Sequence, residues 1–231
     1  MIHVHRALQL YTQSRNSAGE RVRIALHLKG LEYEYISVSA MRSEEYRSIN
    51  PQGLMPALRV GDAVIAQSTA ILEYLEEVYP DRPLLPVDCL ARAEARAFAQ
   101  LISSDTHPLC NYRIRKYLAQ QLDANDADIL AWYHHWISLS FTALEEALAR
   151  RANQYRFCFG DDPGWADLHL VPMIANARRF ECNLAAYPRL LEIESRCIPL
   201  DAFRLARPDT QPDYPGYVVT AVSPGRTSRQ D

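Results

Sequence analysis

The chain has 231 residues, 48% hydrophobic and 23% charged, with a formal net charge of −3. That length and composition suit one domain, or two small ones, with a buried core. The slight acidity gives no basic field for nucleic acid, and no apolar run is long enough to span a membrane.

Along the chain, Leu8 to Tyr11 reads as a strand. Ser17 to Leu28 reads as a helix, with SAGE placing Ser17 at the N-cap and Glu20 three residues on, a capping box. Val22, Ala25 and Leu26 give it an apolar face, and Gly30 stands where a helix ends. Tyr33 to Val38 alternates as a second strand, and Ser43 to Ile49 makes a short helix. Ala57 to Val60 and Ala63 to Ala66 flank Gly61-Asp62, a two-residue hairpin turn. Ser68 reads as the N-cap of a helix reaching Tyr79, with Ile71, Leu72, Leu75 and Val78 at helical spacing. The order β-α-β-α-β-β-α over residues 1–80 predicts a thioredoxin-like domain, a mixed sheet covered by helices.

Residues 81–86, DRPLLP, form a proline-bracketed linker. From 87 to 207 the pattern is almost wholly helical, so the fold class is α+β, with an all-helical second domain. Asp88 to Gln121 carries Pro108, which predicts a kink or break near His107. Asp126 to Arg151 has a broad apolar face that includes Trp132, Tyr133, Trp136 and Phe141, which makes it central to that domain. Gly164 to Phe180 is a further helix; Asp167 is its third residue, but Gly164 brings no side-chain acceptor to the cap. Shorter helices follow at Arg189 to Cys197 and Asp201 to Leu205. Residues 208–231, rich in Pro, Ser and Gly, read as a tail that is loose or draped over the surface.

Five scattered cysteines (Cys89, Cys110, Cys158, Cys182 and Cys197) without a C-x-x-C pair point to a reducing compartment. They argue against a disulfide framework, a zinc ribbon or a dithiol redox site. The opening MIHVHRALQLY lacks the apolar segment of a signal peptide, so a cytoplasmic location is expected. His134 and His135 are adjacent on a helix and point in different directions, so no metal site is expected there.

One stretch stands out for binding. Pro56 cannot donate to a sheet ladder, which puts it at the first residue of a strand. X-Pro bonds adopt cis far more readily than others, and a cis bond here turns the backbone of Met55 outward, unpaired. Such an edge accepts an extended peptide by strand addition. The helix start at Gln67-Ser68 attracts an anion. Together they describe a site for a short peptide bearing a carboxylate. A capped hairpin and helix with no ligand explains the same spacing.

The motifs NPQGLMPAL and QSTAILEYL, in a thioredoxin-like unit followed by a helical one, resemble the cytosolic glutathione transferases. RVRIALHLKGLEYEY, DTHPLCNYRI and LVPMIANARRF narrow the resemblance to the zeta class, which contains maleylacetoacetate and maleylpyruvate isomerases. It spans residues 8 to 207. It implies a homodimer that uses glutathione to isomerise a cis maleyl dicarboxylate to its trans form in aromatic catabolism, by reversible thiolate addition to the double bond. A broad-range glutathione transferase or peroxidase, or a glutathione-binding protein with little catalysis, remains as the alternative.

The resemblance implies that glutathione lies along Met55 before a cis Pro56, with its γ-glutamyl end at Gln67 and Ser68. His107, Asn111, Tyr112 and Arg113 match a segment that contacts glutathione. Asn16 and Ser17 fall on the family's two serines, so either supplies the hydrogen bond to the sulfur. Ala18 falls on its cysteine, which disfavours cysteine chemistry. Arg15 and Arg179 match pocket positions, with Arg178 the second half of a pair, and guanidinium forks suit a dicarboxylate. Asn16, Gly19, Met41, Tyr112 and Gly164 depart from the family pattern. Tyr112 stands where bacterial maleylpyruvate isomerases tend to carry another arginine.

Overall fold

The computed structural model describes residues 7–38, 43–151 and 154–215. Four strands form one mixed sheet: β1 (Leu8–Thr12), β2 (Glu34–Ser37), β3 (Ala57–Val60) and β4 (Ala63–Ala66). The spatial order is β2-β1-β3-β4. β1 runs parallel to β2 and antiparallel to β3, and β3 pairs antiparallel with β4 through the Gly61-Asp62 turn. Gly61 takes φ 61°, the left-handed conformation that this turn demands. The helices α1 (Ser17–Lys29), α2 (Glu44–Ile49) and α3 (Ser68–Val78) complete the expected thioredoxin-like order.

The second unit contains α4 (Cys89–Gln100), α5 (His107–Cys110), α6 (Tyr112–Gln121), α7 (Asp126–Ala149), α8 (Trp165–Arg179), α9 (Pro188–Cys197) and α10 (Asp201–Ala206). The break expected near His107 is more elaborate than a kink. Leu101–Thr106 is π-helical, with Thr106 Oγ1 donating to Leu101 O at 2.7 Å, and the chain turns fully only at Asn111, where ψ is 164°. Pro108 brings no N–H, so the backbone ladder cannot run through it unchanged. Such π-turns often mark functional positions.

One core runs through both units, from Leu10, Ile24 and Leu72 in the first to Phe141, Leu170 and Ile174 in the second. A buried ion pair locks the linker between them. Lys29 Nζ meets Glu76 and also donates to Tyr79 O and Arg82 O, both at 2.9 Å. Glu76 accepts in turn from the Leu84 and Leu85 amides. Leu84 O then receives the Trp165 N–H at 2.7 Å. That contact explains Gly164: a Cβ there would stand 2.5 Å from Leu84 O. Asp167 supplies the other half of the capping box, its carboxylate accepting from Gly164 N at 2.8 Å and from Cys158 N at 2.9 Å, while Gly164 offers no side-chain acceptor in return.

The C-terminal segment drapes as far as it is described. Pro208–Thr210 forms a 3-10 turn, and Asp213 docks on the first unit. Among the described residues, no helix is long and apolar enough to cross a membrane, and no group of three or more metal-ligating side chains occurs. His134 hydrogen-bonds Phe180 O through Nε2, while the His135 ring packs edge-on to Trp136. All five cysteines are free. Burial pushes Cys110 up to about 12 and Cys182 to about 11, and raises Cys158 and Cys197 as well.

Candidate active site

The peptide edge is built by a short loop. Asn50 donates from Nδ2 to Leu54 O at 2.6 Å, and the Tyr46 hydroxyl donates to the same carbonyl at 2.9 Å. These bonds hold the turn that delivers Met55 beside β3. The Met55-Pro56 bond is cis, and Met55 falls outside both ladders of β3. Among the described residues, no hydrogen bond to the Met55 backbone closes that edge. Pro56 itself precedes the first residue of the strand rather than occupying it.

Next to this edge stands the start of α3. Gln67, not Ser68, is its N-cap residue, and no side chain caps it. Ser68 is the first helical residue, and it is buried. Gln67 holds φ 72° and ψ 120°, outside the regions that side chains favour, at a cost on the order of 1–3 kcal/mol. Its Nε2 donates to Gln52 Oε1 at 2.7 Å. Gln52 thus joins the site, although nothing in its sequence position announced it. The uncapped, strained helix start, the open Met55 edge and two amide side chains fit the backbone and terminal charges of an extended peptide.

The loop before α1 is shifted by one residue from expectation. Asn16 is the N-cap; it has φ −121°, and its Oδ1 accepts from Gly19 N. Asparagine caps at least as well as serine, and standing one place earlier it takes the role. The expected Ser17–Glu20 capping box therefore does not form. Gly19 is required by crowding, because a Cβ there would lie 2.0 Å from Thr12 Oγ1. Ser17 is freed from capping, and its Oγ lies 3.2 Å from His107 Nε2. Burial, with Arg21 and Arg113 nearby, pushes the His107 ring down to about 3, so it is neutral at physiological pH.

Two cations frame the same loop. Arg15 lies over the Tyr214 ring at 5.3 Å, and Arg179 at the end of α8 lies over Phe180 at 5.1 Å. Burial lowers the Arg179 guanidinium, and the Arg15 charge lowers it further, which places the two within electrostatic reach. Arg178 points elsewhere and pairs with Glu194 on α9. Asn111 caps α6, its Oδ1 accepting from Ile114 N at 3.2 Å. Tyr112 is partly buried beneath Arg115, and Arg113 is exposed. Arg115, unforeseen from the sequence, is buried against the Phe180 ring at 4.5 Å and interacts electrostatically with Arg179. Glu20 is a second surprise: it is 5% exposed and near Arg179. Met41 lies outside the described residues.

Comparison with known proteins fits this geometry. The family described as "Glutathione S-transferase, N-terminal domain" matches residues 17–78. A maleylpyruvate isomerase from Ralstonia sp. is 44% identical over 210 residues, covering 89% of this chain and 99% of the relative. The chain belongs to the zeta-class glutathione transferase family. A holo maleylpyruvate isomerase structure, described as a bacterial zeta-class glutathione transferase, superposes with a TM-score of 0.87 at 44% identity. It covers 89% of this chain and 99% of the other. A maleylacetoacetate isomerase structure from Methylobacterium extorquens AM1, with bound malonate and GSH, gives 0.86 at 38% identity, covering 90% and 99%. The zeta-class fold thus accounts for the sheet, the open edge before β3 and the helical unit behind it.

Proposed function

We propose that the chain is a glutathione-dependent cis–trans isomerase of a maleyl dicarboxylate, maleylpyruvate or maleylacetoacetate, acting in the cytoplasm as a homodimer. The observation that carries this reading is the open Met55 edge before cis Pro56, in a chain 44% identical to a maleylpyruvate isomerase. Arg15, on the loop before α1, and Arg179, at the end of α8, carry guanidinium forks that suit a dicarboxylate.

The residues fit glutathione. Met55 offers an extended edge to the peptide backbone, and Gln67 and Ser68 meet the γ-glutamyl end at the start of α3. Asn111, Tyr112 and Arg113 supply polar groups from the second unit, and His107 faces the loop that holds the sulfur. Bound glutathione supplies a sulfur nucleophile that adds reversibly to the conjugated double bond, leaving a single bond free to rotate.

The protein's work is electrostatic. With glutathione bound, the N-terminus of helix α1 would lie beside the sulfur, and a donor from Ser17 Oγ or Asn16 Nδ2 would favour the ionised thiol. Asn16 Oδ1 is occupied by its cap, so only the amide N–H of that side chain is available. Arg15 and Arg179 hold the carboxylates and stabilise negative charge that moves onto the substrate's carbonyl oxygen.

The test mixes purified protein with maleylpyruvate or maleylacetoacetate and follows loss of the cis-isomer absorbance, with and without glutathione. Turnover that requires glutathione and falls at least about tenfold in Arg179→Ala supports the reading, a loss in line with one charge-assisted contact. Conjugation of a chloronitroaromatic acceptor with no isomerisation would replace it with a general transferase. Sedimentation of the purified protein tests the dimer.

A further inference from the structure

We propose that His107 is a positioning residue for the thiol: its Nε2–H donates to Ser17 Oγ, so that the Ser17 hydroxyl proton points at the sulfur of bound glutathione. This rests on the preceding assignment of glutathione to the site. It assigns His107 a role through Ser17 rather than through a direct contact with glutathione.

The geometry is the 3.2 Å approach of Nε2 to Oγ. A serine hydroxyl has one proton to give and two lone pairs to receive. If the imidazole nitrogen accepts that proton, Ser17 has nothing left for a sulfur. If the ring donates instead, the hydroxyl is free to donate onward. A thiolate beside Ser17 selects the second arrangement, because an O–H directed at sulfur leaves only lone pairs facing the ring, and only a ring N–H satisfies them. The result is a directed chain from Nε2–H to Oγ and from the hydroxyl to sulfur, in which each bond polarises the next.

The surroundings support this direction. Burial, with the charges of Arg21 on α1 and Arg113 on α6 adding to it, holds the ring neutral. Its backbone is fixed as well. His107 opens α5 between the π-helical segment and Pro108, so the imidazole projects from a part of the chain with little freedom to move. Ser17 is in place to be oriented because Asn16 has relieved it of capping.

The experiment titrates the thiol of glutathione bound to wild type, Ser17→Ala, His107→Phe and the double variant, by thiolate ultraviolet absorbance. Calorimetry records glutathione affinity in parallel. Each single variant is expected to raise the bound thiol pKa by about one unit, and the double variant by no more than either alone. His107→Gln, which keeps a donor on a chain of similar reach, recovers part of the shift. Should His107→Phe not fold, His107→Asn, whose amide is too short to reach Ser17, makes the same comparison. An unchanged thiol pKa in His107→Phe with weakened glutathione binding would overturn the proposal and make His107 a direct ligand; additive shifts in the double variant would overturn it too. A wild-type protein that ionises bound glutathione but isomerises nothing would sink the reaction assigned above, yet the thiol titrations would still decide this inference.

Discussion

Arg178 closes a two-pronged ion pair on Glu194, with Nη1 to Oε1 at 2.7 Å and Nη2 to Oε2 at 2.6 Å. Its neighbour Arg179, one residue on and therefore on another face of α8, lies over the Phe180 ring instead. The adjacent arginines thus have different partners, Glu194 for Arg178 and the Phe180 ring for Arg179, and the proposed function gives only Arg179 a part in the reaction. Replacing Arg178 with Ala strands the largely buried Glu194 carboxylate and is expected to cost on the order of 1–2 kcal/mol, discounted because Arg178 itself is about half exposed. Isomerase kcat/KM should stay within about twofold of wild type, less than one lost charge-assisted contact would cost. Arg179→Ala should show the reverse, with activity lost and Tm nearly unchanged. Thermal unfolding and steady-state kinetics on both variants separate the two roles, and equal loss of activity in both would refute the division.

Asp213 reaches back across the chain to hold the loop that carries Arg15. Its carboxylate accepts from Ser14 N at 3.1 Å, from the Tyr35 hydroxyl at 2.7 Å and from Ser37 Oγ at 2.9 Å. Burial acts to raise its pKa, but these hydrogen bonds outweigh burial and hold the carboxyl below its ordinary value. A depressed acid stabilises the fold above its unfolded pKa, and that contribution fades as pH falls through the folded value. Asp213→Ala is therefore expected to lower Tm at pH 7, with little further loss near pH 3. It should also raise KM for the dicarboxylate, because Tyr214, the ring beneath Arg15, is held by the same segment. Tm unchanged at pH 7 would show the segment to be a passive drape.

Glu20 is a buried carboxyl facing Arg179 from α8, Arg207 and Asp209 from the C-terminal segment, and Arg23 from its own helix. Burial is the largest influence and pushes it up to about 7, against the pull of the arginines. The folded state thus holds this proton more tightly than the unfolded chain does. Stability from this group is present at low pH and is lost as pH rises from about 4.5 to about 7. Glu20→Gln should therefore gain Tm relative to wild type at pH 8, by a few °C (about 1 kcal/mol moves a chain of this size by roughly 2–4 °C), and gain little at pH 4. Ionised Glu20 also competes with substrate carboxylates for Arg179. KM for the dicarboxylate should rise through pH 7 in wild type and flatten in the variant. A wild-type KM that is flat across that range would refute the competition.

Much of the fold was legible in local signals. The Gly-Asp hairpin, the proline opening a strand edge and the apolar spacing of α1, α3 and α7 are short-range patterns, and each element formed within a residue or two of its expected limits. What escaped was set by competition or by distance. Asn16 and Ser17 are both good caps of similar preference, so local propensity could not choose between adjacent positions, and the structure places the cap at Asn16. The π-helical segment before Pro108 leaves no periodic trace. Asp213 meets Ser14 from 199 residues away, and Glu20 feels the charges of Arg207 and Asp209 from a C-terminal segment that no local pattern places there. In the candidate site, sequence singled out Met55, Gln67, Ser68, His107 and the arginines. It gave no sign of Gln52, Arg115 or Tyr214, nor that Arg178 would be taken up by an ion pair with Glu194, because tertiary packing alone decides those.

In the proposed complex a peptide thiol lies along the Met55 edge with its sulfur at the start of α1, and a dicarboxylate is held by Arg15 and Arg179. A crystal structure of the protein with glutathione and a non-isomerisable maleyl dicarboxylate tests it most directly. The account predicts the peptide backbone paired with Met55, the sulfur within hydrogen-bond reach of Ser17 Oγ or Asn16 Nδ2, and the carboxylates on the two arginines. Glutathione bound elsewhere, or dicarboxylate density away from both guanidinium groups, would contradict it.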